Sequence, residues 1–403
     1  MKNLIRLLAT VAFAIGGLFA AITLPASATT KVKTVTCYKL LNNAVVSHKF
    51  RNTKGVCSKG WSKKKPTPIG TVNIETPPSA SLSETGSTLL YPLWNVWAPA
   101  YQAKFSQVSL STAGTGSGTG IADAANGTAN IGSSDAYLSS TQVGATPGLL
   151  NIPLAISYQV IVYNIPGVHA HLKLNGSILA GIYTGAIKNW NDAAIAAINP
   201  SITLPNLGIV ALHRSDGSGD TFLFTQYLSK QVKSWASSIS YGTTVSFPSI
   251  ANGLGEAGNG GMVTGCNATP GCIAYVGVSY LTQVLGDGMT YGSLANGNGQ
   301  YVLPTSTAVQ AEAYAFTRQT PANETISMID GKVNGGYPIV NYEYAIVNSN
   351  QSSSSTAKAV RSVLEWAINA KDGNSAQYLS QVRFEPLPLK VVSQSVTQIQ
   401  KIK

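Results

Sequence analysis

His213-Arg214-Ser215-Asp216-Gly217-Ser218-Gly219-Asp220-Thr221 runs straight into Phe222-Leu223-Phe224-Thr225-Gln226-Tyr227-Leu228, so that an arginine and a carboxylate flank a small-residue turn opening a helix. Glycines let backbone N–H groups converge on one point, and the helix N-terminus adds positive partial charge. Ser218 can donate there while Arg214 neutralises, so the segment reads as an anion cradle. Asp216 refines the reading. A carboxylate repels a fully deprotonated oxyanion but accepts a hydrogen bond from a protonated one, which points to phosphate over sulfate. An ordinary Asp-Gly turn capping a helix accounts for the same residues equally well.

Outward from this segment the same grammar recurs. Gly86-Ser87-Thr88-Leu89-Leu90 precedes Tyr91-Pro92-Leu93-Trp94-Asn95-Val96-Trp97, an aromatic amphipathic helix pattern. Val108-Ser109-Leu110-Ser111 reads as a strand, followed by Gly114-Thr115-Gly116-Ser117-Gly118-Thr119-Gly120 and the helix-like Ile121-Ala122-Asp123-Ala124-Ala125. Ala129-Asn130-Ile131-Gly132-Ser133-Ser134-Asp135 is a short strand ending in a carboxylate. Alternation of short strands and helices continues to Tyr280, which predicts an α/β class with mainly parallel strands. Loops at the carboxyl ends of such strands gather at one edge, so the three turns and two aspartates are expected to converge.

Other motif readings fail. The run from Gly114 to Gly120 lacks the Gly-Lys-Ser/Thr ending of a P-loop, and neither Ser117 nor Ser218 has the glycines of a nucleophile elbow. Gly253-Leu254-Gly255-Glu256-Ala257-Gly258 fits G-x-G-x-x-G, yet no clear apolar strand enters it and no acidic residue follows at the ribose-binding distance, so chance in a Gly-rich chain is the better account.

Lys2 and Arg6 precede an apolar run at 7–22, and Ala26-Ser27-Ala28 supplies a cleavage pattern, so residues 1–28 read as a secretory signal peptide with Thr29 as the mature start. No cysteine follows the run directly to carry a lipid anchor. The expected location is extracellular or periplasmic. The remaining 375 residues suit two domains. Net charge is +11, but residues 29–74 hold ten Lys/Arg and no Asp/Glu, and residues 75–403 carry −1. Basicity therefore belongs to an appendage and argues against a nucleic-acid partner. That appendage is suited to anionic polymers of a cell wall, or equally to a role as a solubilising tail. The four cysteines pair locally, Cys37 with Cys57 and Cys266 with Cys272, and an oxidising compartment predicts two disulfides, the first stapling a hairpin with Val35-Thr36-Cys37-Tyr38-Lys39-Leu40 as one strand. The remaining histidines, including His169 and His171, show no metal-ligand spacing. No cofactor is expected.

Gly86-Ser87-Thr88-Leu89, Gly116-Ser117-Gly118-Thr119-Gly120, Ser133-Ser134-Asp135-Ala136 and Arg214-Ser215-Asp216-Gly217-Ser218-Gly219, in that order and spacing, resemble the phosphate-binding proteins of ABC phosphate importers. Asn164-Ile165-Pro166-Gly167, Gly181-Ile182-Tyr183-Thr184-Gly185, Trp190-Asn191-Asp192 and Gly271-Cys272-Ile273-Ala274-Tyr275-Val276 support the match, which extends from about residue 82 to 389. The resemblance implies a type II periplasmic-binding-protein fold, two α/β lobes closing around inorganic phosphate, no catalysis, and a membrane permease as partner. It implies lobe one at 78–164 with 339–403 and lobe two at 165–338, while charge and cysteine content mark a small basic module at 29–66 and a Thr/Pro/Ser-rich stretch reads as the linker at 67–77. Carried over by position, Thr88, the Leu89 amide, Ser117, Asp135, Arg214, Ser218 and Gly219 contact the anion. Asp216 holds Arg214, and Asp135 accepts the phosphate proton that sulfate lacks.

One position departs from the pattern. Where many members place threonine after Ser218-Gly219, this chain has Asp220. The expectation is that its backbone N–H contributes while the carboxylate turns outward as a helix N-terminal residue, with Thr221 as a source of a hydroxyl. Rival readings are a secreted phosphatase using His213 and a wall-adhesion protein using the basic module.

Overall fold

A computed structural model describes residues 31–403, and the expected signal peptide lies outside the described residues. The chain divides into a first unit up to residue 68 and a second over 69–403. In the first, β1 (Lys33–Leu41) and β2 (Ala44–Asn52) pair antiparallel from Lys33 opposite Asn52 to Leu41 opposite Ala44. Asn42 and Asn43 turn the hairpin with φ of 49° and 61°, the left-handed pair that a tight two-residue turn demands and that asparagine tolerates. A hairpin alone is marginal in water. Here the Cys37–Cys57 disulfide staples it, and Trp61 packs against Phe50 at 5.5 Å and under the Lys39 ammonium at 4.7 Å.

The second unit is built on a nine-stranded mixed sheet and also holds a small three-stranded one. β3 (Ala80–Gly86), β4 (Val108–Ala113) and β5 (Ile131–Ser134) are parallel, joined through α1 (Tyr91–Lys104) and α2 (Ser117–Asn126). β6 (Leu149–Asn164) is the long strand, sixteen residues and buried nearly throughout, which is why it reads as a continuous apolar run. Beyond it lie β7 (Val210–Arg214), β8 (Gly253–Glu256) and β9 (Cys272–Gly277), with α3 (Gly219–Gln231) following β7 and α4 (Gly258–Ala268) following β8. β10 (Val340–Asn348) returns beside β6 and is followed by α5 (Ser354–Ile368). The strand order is β4-β3-β5-β10-β6-β9-β7-β8.

That order explains the two-halved shape. The first part of β6 pairs antiparallel with β10 from Leu149 to Tyr158, and its second part pairs antiparallel with β9 from Gln159 to Asn164. β6 thus carries the sheet from the β3-β4-β5 half into the β7-β8-β9 half. Every helix-opening turn singled out in the sequence follows a parallel strand, so all face the seam between halves. This is the α/β, type II binding-protein architecture that the resemblance implies.

The first half buries an aromatic cluster under the sheet. Trp94 and Trp97 of α1 meet edge to face at 5.3 Å, and Trp97 meets Trp366 of α5 at 6.4 Å. Their indole N–H groups do not go unpaired: Trp94 donates to Ser133 Oγ at 2.8 Å and Trp97 to the Gly373 carbonyl at 2.9 Å. Residues 69–77 form no regular element but are pinned to the second unit. The Gly70 amide donates to Ser393 Oγ at 2.8 Å, and Glu75 pairs with Arg361 at 2.8 Å.

Cys266 of α4 is bridged to Cys272 at the start of β9, six residues on. Closing so short a loop removes little entropy from the unfolded chain, about 2 kcal/mol. Replacing both by alanine is expected to lower the melting temperature by only a few degrees. Thermal unfolding of that double variant against the parent, both under oxidising conditions, measures it.

Candidate anion-binding site

Asp216 reaches back across the β7–α3 turn to Arg214. Arg214 Nε donates to Asp216 Oδ1 at 2.7 Å and its Nη2 to Asp216 Oδ2 at 2.5 Å, the two-pronged geometry that a guanidinium alone offers a carboxylate. The arginine side chain is wholly buried while that of Asp216 keeps 24% exposure. Burial pushes the Asp216 carboxyl up, but the bonds and charge of Arg214 and the Gly258 amide outweigh it, leaving it below the usual carboxylate range. The role expected for Asp216, holding Arg214, matches this geometry.

The other expected residues are linked to one another through hydrogen bonds and close approaches. Ser218 caps α3, its Oγ accepting from the Thr221 amide at 3.2 Å. The Gly118 amide of α2 donates to the Gly217 carbonyl at 2.9 Å, which draws the openings of α2 and α3 together across the seam. Gly219 faces Asp135 so closely that a Cβ there would lie 2.3 Å from Asp135 Oδ2. Ser117 Oγ accepts from the Asp135 amide at 3.3 Å. The Leu89 and Leu90 amides donate to Ser87 Oγ at 3.1 and 3.0 Å, and Ser87 in turn bonds Asp135 Oδ1. Thr88 Oγ1 accepts from the Asn259 amide and Nδ2 at 3.2 and 3.0 Å. Contacts thus connect Thr88 with Asn259, Leu89 with Ser87, Ser87 and Ser117 with Asp135, and Asp135 with Gly219.

Asp220 corrects the expectation made for it. The carboxylate does not turn outward: the residue is fully buried, and Oδ2 accepts from Arg214 Nη1 at 3.2 Å and from Asn259 Nδ2 at 2.6 Å. Oδ1 accepts from Gln159 Nε2 at 3.0 Å. The helix opens under β6 and α4 rather than toward water, so its first-turn carboxylate finds three buried donors inward and no solvent outward. Burial pushes its proton affinity up, only partly offset by Arg214, Gln159 and Asn259. The Thr221 hydroxyl is engaged with the Tyr275 hydroxyl at 2.8 Å.

Asp135 stands close to two further carboxyl groups, Glu343 and Asp220. Burial, then the charges of Glu343 and Asp220, push its carboxyl well above the ordinary range. Glu343, hydrogen-bonded to Asp135 and held by Ser157 Oγ at 2.5 Å and Asn341 Nδ2 at 2.9 Å, is pushed by burial only to about 6. Two like charges this close do not both ionise.

Ser87 and Tyr275 lay inside quoted motifs without being singled out, and Gln159, Asn259, Glu343 and Asn341 escaped the sequence reading. Gln159 and Glu343 carried a signal, a polar residue inside a buried apolar strand, where it needs a partner. Asn259 directly follows the glycine segment set aside as chance. Gly253 to Glu256 is itself the strand β8, and the glycines lead into α4, whose second residue is Asn259. The hydrolase candidate His213 stacks on Phe247 at 4.8 Å, with Nδ1 3.2 Å from the Arg214 carbonyl. Among the described residues no three His, Cys, Asp or Glu side chains group to hold a metal, and no helix is long and apolar enough to cross a membrane.

Residues 71–371 match the model of the PBP superfamily domain. The chain is 32% identical over 329 residues to the phosphate-binding protein PstS of Xylella fastidiosa, covering 80% of this chain and 87% of that one. It belongs to the PstS phosphate-binding family. The PstS of Methanocaldococcus jannaschii is 32% identical over 331 residues, 76% of this chain and 83% of that one. A phosphate-binding protein from Stenotrophomonas maltophilia shares the fold with a TM-score of 0.62 at 18% identity, over 79% of this chain and 93% of that one. PstS relatives are substrate-binding proteins and not enzymes, which removes the phosphatase reading.

Asn259 ties the two halves of this PstS-family chain, bonding Thr88 on one side and Asp220 on the other, while its own Oδ1 accepts from the Gly277 amide at 2.8 Å. Asn259→Ala leaves those buried partners unsatisfied and is expected to cost about 1–3 kcal/mol. Urea unfolding with an unchanged m-value and a lowered midpoint is the expected record.

Proposed function

We propose that this chain captures inorganic phosphate between the halves of its second unit and delivers it to the membrane permease of an ABC phosphate importer, outside the cytoplasm. The observation that carries the reading is a buried arginine oriented by Asp216 at the point where the openings of α2 and α3 meet beside Asp135. In this reading lobe one is 78–164 with 339–403 and lobe two is 165–338. Thr88, the Leu89 amide, Ser117, Asp135, Arg214, Ser218 and the Gly219 amide contact the anion, with Asp220 beside them. Family membership supports phosphate as the ligand.

Calorimetry on refolded, phosphate-free protein tests this. Phosphate binding with rejection of sulfate is expected, and absence of phosphate binding overturns the reading. We further propose that residues 29–74 meet anionic cell-wall polymers, on the strength of ten Lys/Arg without one Asp/Glu. Retention on purified walls should fall when 29–74 are deleted, and equal retention counts against it.

A further inference from the structure

Helix α4 opens without a cap of its own. Its N-cap residue is Ala257, which has no side-chain oxygen, so the first open amides of the helix need acceptors from elsewhere in the chain. The Gly258 amide donates to Asp216 Oδ1 at 3.2 Å and the Asn259 amide to Thr88 Oγ1 at 3.2 Å, so one goes to the carboxylate that holds Arg214 and the other crosses the seam to the turn before α1. The Asn259 side chain, fully buried, adds to the same contact. Its Nδ2 gives one hydrogen to Thr88 Oγ1 at 3.0 Å and the other to Asp220 Oδ2 at 2.6 Å, while its Oδ1 accepts from the Gly277 amide at 2.8 Å. A backbone amide can only donate, and Asp220 Oδ2 already accepts from Arg214, so one orientation of the Asn259 amide satisfies all three partners. Thr88 Oγ1, on a residue 8% exposed, therefore accepts twice, from the backbone and the side chain of the same residue. A hydroxyl has two lone pairs and one proton. With both lone pairs engaged, the proton is the one function it has left to give.

We infer that Asn259 is a positioning residue for the captured anion: acting from the half of the sheet opposite Thr88, it holds the Thr88 hydroxyl as an obligate donor to phosphate, a role that rests on the phosphate reading above. A threonine hydroxyl left to itself accepts as readily as it donates and turns among several orientations, so ordering it on binding subtracts from the hydrogen bond it makes to an anion. Asn259 orders it beforehand, in surroundings that exclude water. The neighbouring residue is backed in the same way. Ser279 Oγ, just beyond β9, donates to the Leu89 carbonyl at 2.7 Å, so Thr88 and Leu89 are both held from the other half. Because the donors and the acceptor sit on different halves, the Thr88 hydroxyl is oriented in the arrangement in which the halves meet and loses that orientation when they part. The stretch from Gly253 to Gly258 fits a dinucleotide fingerprint by chance, but it has a use here: it delivers Asn259 to the seam at the opening of α4.

Calorimetric titration of phosphate into the full mature chain and its Thr88→Val, Asn259→Ala and double variants is the test, with melting curves to establish folding of each. In the parent background Thr88→Val is expected to weaken phosphate binding by about 10–100-fold, the worth of a hydrogen bond to a charged group. With Asn259→Ala in place the same substitution is expected to cost at least about threefold less, because the hydroxyl it removes is no longer held by two donors. A purely structural role for Asn259 gives equal factors in the two backgrounds, and that result overturns the inference while leaving phosphate capture standing. Hydrogen exchange at the Asn259 backbone amide, compared between the parent and Thr88→Val at saturating phosphate, gives a second test that does not require Asn259→Ala to fold. Exchange at least about tenfold faster in Thr88→Val is expected, and equal exchange overturns the inference. No phosphate binding by the parent overturns the phosphate reading and this inference with it.

Discussion

Arg214→Ala is expected to abolish measurable phosphate binding and to destabilise the second unit by about 3–5 kcal/mol, the cost of removing one partner from a buried charge cluster. The arginine side chain is fully buried, and its removal strands Asp216 and Asp220 together without a counter-charge. Arg214→Lys separates the two effects. An ammonium restores the positive charge but cannot donate to both Asp216 oxygens and to Asp220 in one plane, so stability should recover in part while phosphate affinity stays at least about a hundredfold down. Urea unfolding and calorimetry on both variants give the comparison. Near-parental phosphate affinity in Arg214→Lys would show that orientation by Asp216 is unimportant.

The second large effect concerns pH. Glu84 in β3 is 3% exposed and Glu324, in the segment before β10, is wholly buried. Burial pushes the first carboxyl up to about 8 and the second to about 9, the latter despite a hydrogen bond from Ser395 Oγ at 2.8 Å. Both groups keep in the folded state a proton that the unfolded chain gives up near the ordinary glutamate value of 4.5. Their contribution to stability is therefore fully present below that value and is lost as pH rises through about 8 and 9. Each pH unit of displacement is worth about 1.4 kcal/mol, so the loss is on the order of 5 kcal/mol per group as an upper bound, since a charged buried carboxylate draws in water. Against a typical total of about 5–15 kcal/mol this is large. Melting temperature is expected to fall progressively from about pH 5 and to level off above about pH 9, and the double variant Glu84→Gln/Glu324→Gln should flatten this decline. A flat profile to pH 10, or a decline unchanged in the double variant, contradicts the account.

The candidate site was legible where local chemistry is written into contiguous residues. Arg214, Asp216 and Ser218 lie within five positions, so a turn geometry that brings them together needs no knowledge of the rest of the chain. Thr88, Ser117 and Asp135 were legible through the repeated rule of a small-residue turn after a strand, and the α/β class followed from the same alternation. The two disulfides were legible because each links near neighbours. Asn259 and Gln159 were not. Each bonds Asp220 from another strand or helix, 39 and 61 residues away in sequence, and nothing local to either names its partner.

Asp220 marks the boundary most sharply. The family resemblance identified it as a departure, because many members place threonine at that position. Which way its carboxylate points was a matter of burial, and burial is decided by what packs over a helix N-terminus from other parts of the chain. A first-turn aspartate on a surface helix faces water, and the same aspartate under β6 and α4 faces Arg214, Gln159 and Asn259. The sequence determined the strand-turn-helix units, the covalent staples and the charge of each segment. Only the tertiary structure decided that Asp135, Asp220 and Glu343 share one dry space with a single arginine, because proton affinity depends on the sum of charges and the exclusion of water at a point in space.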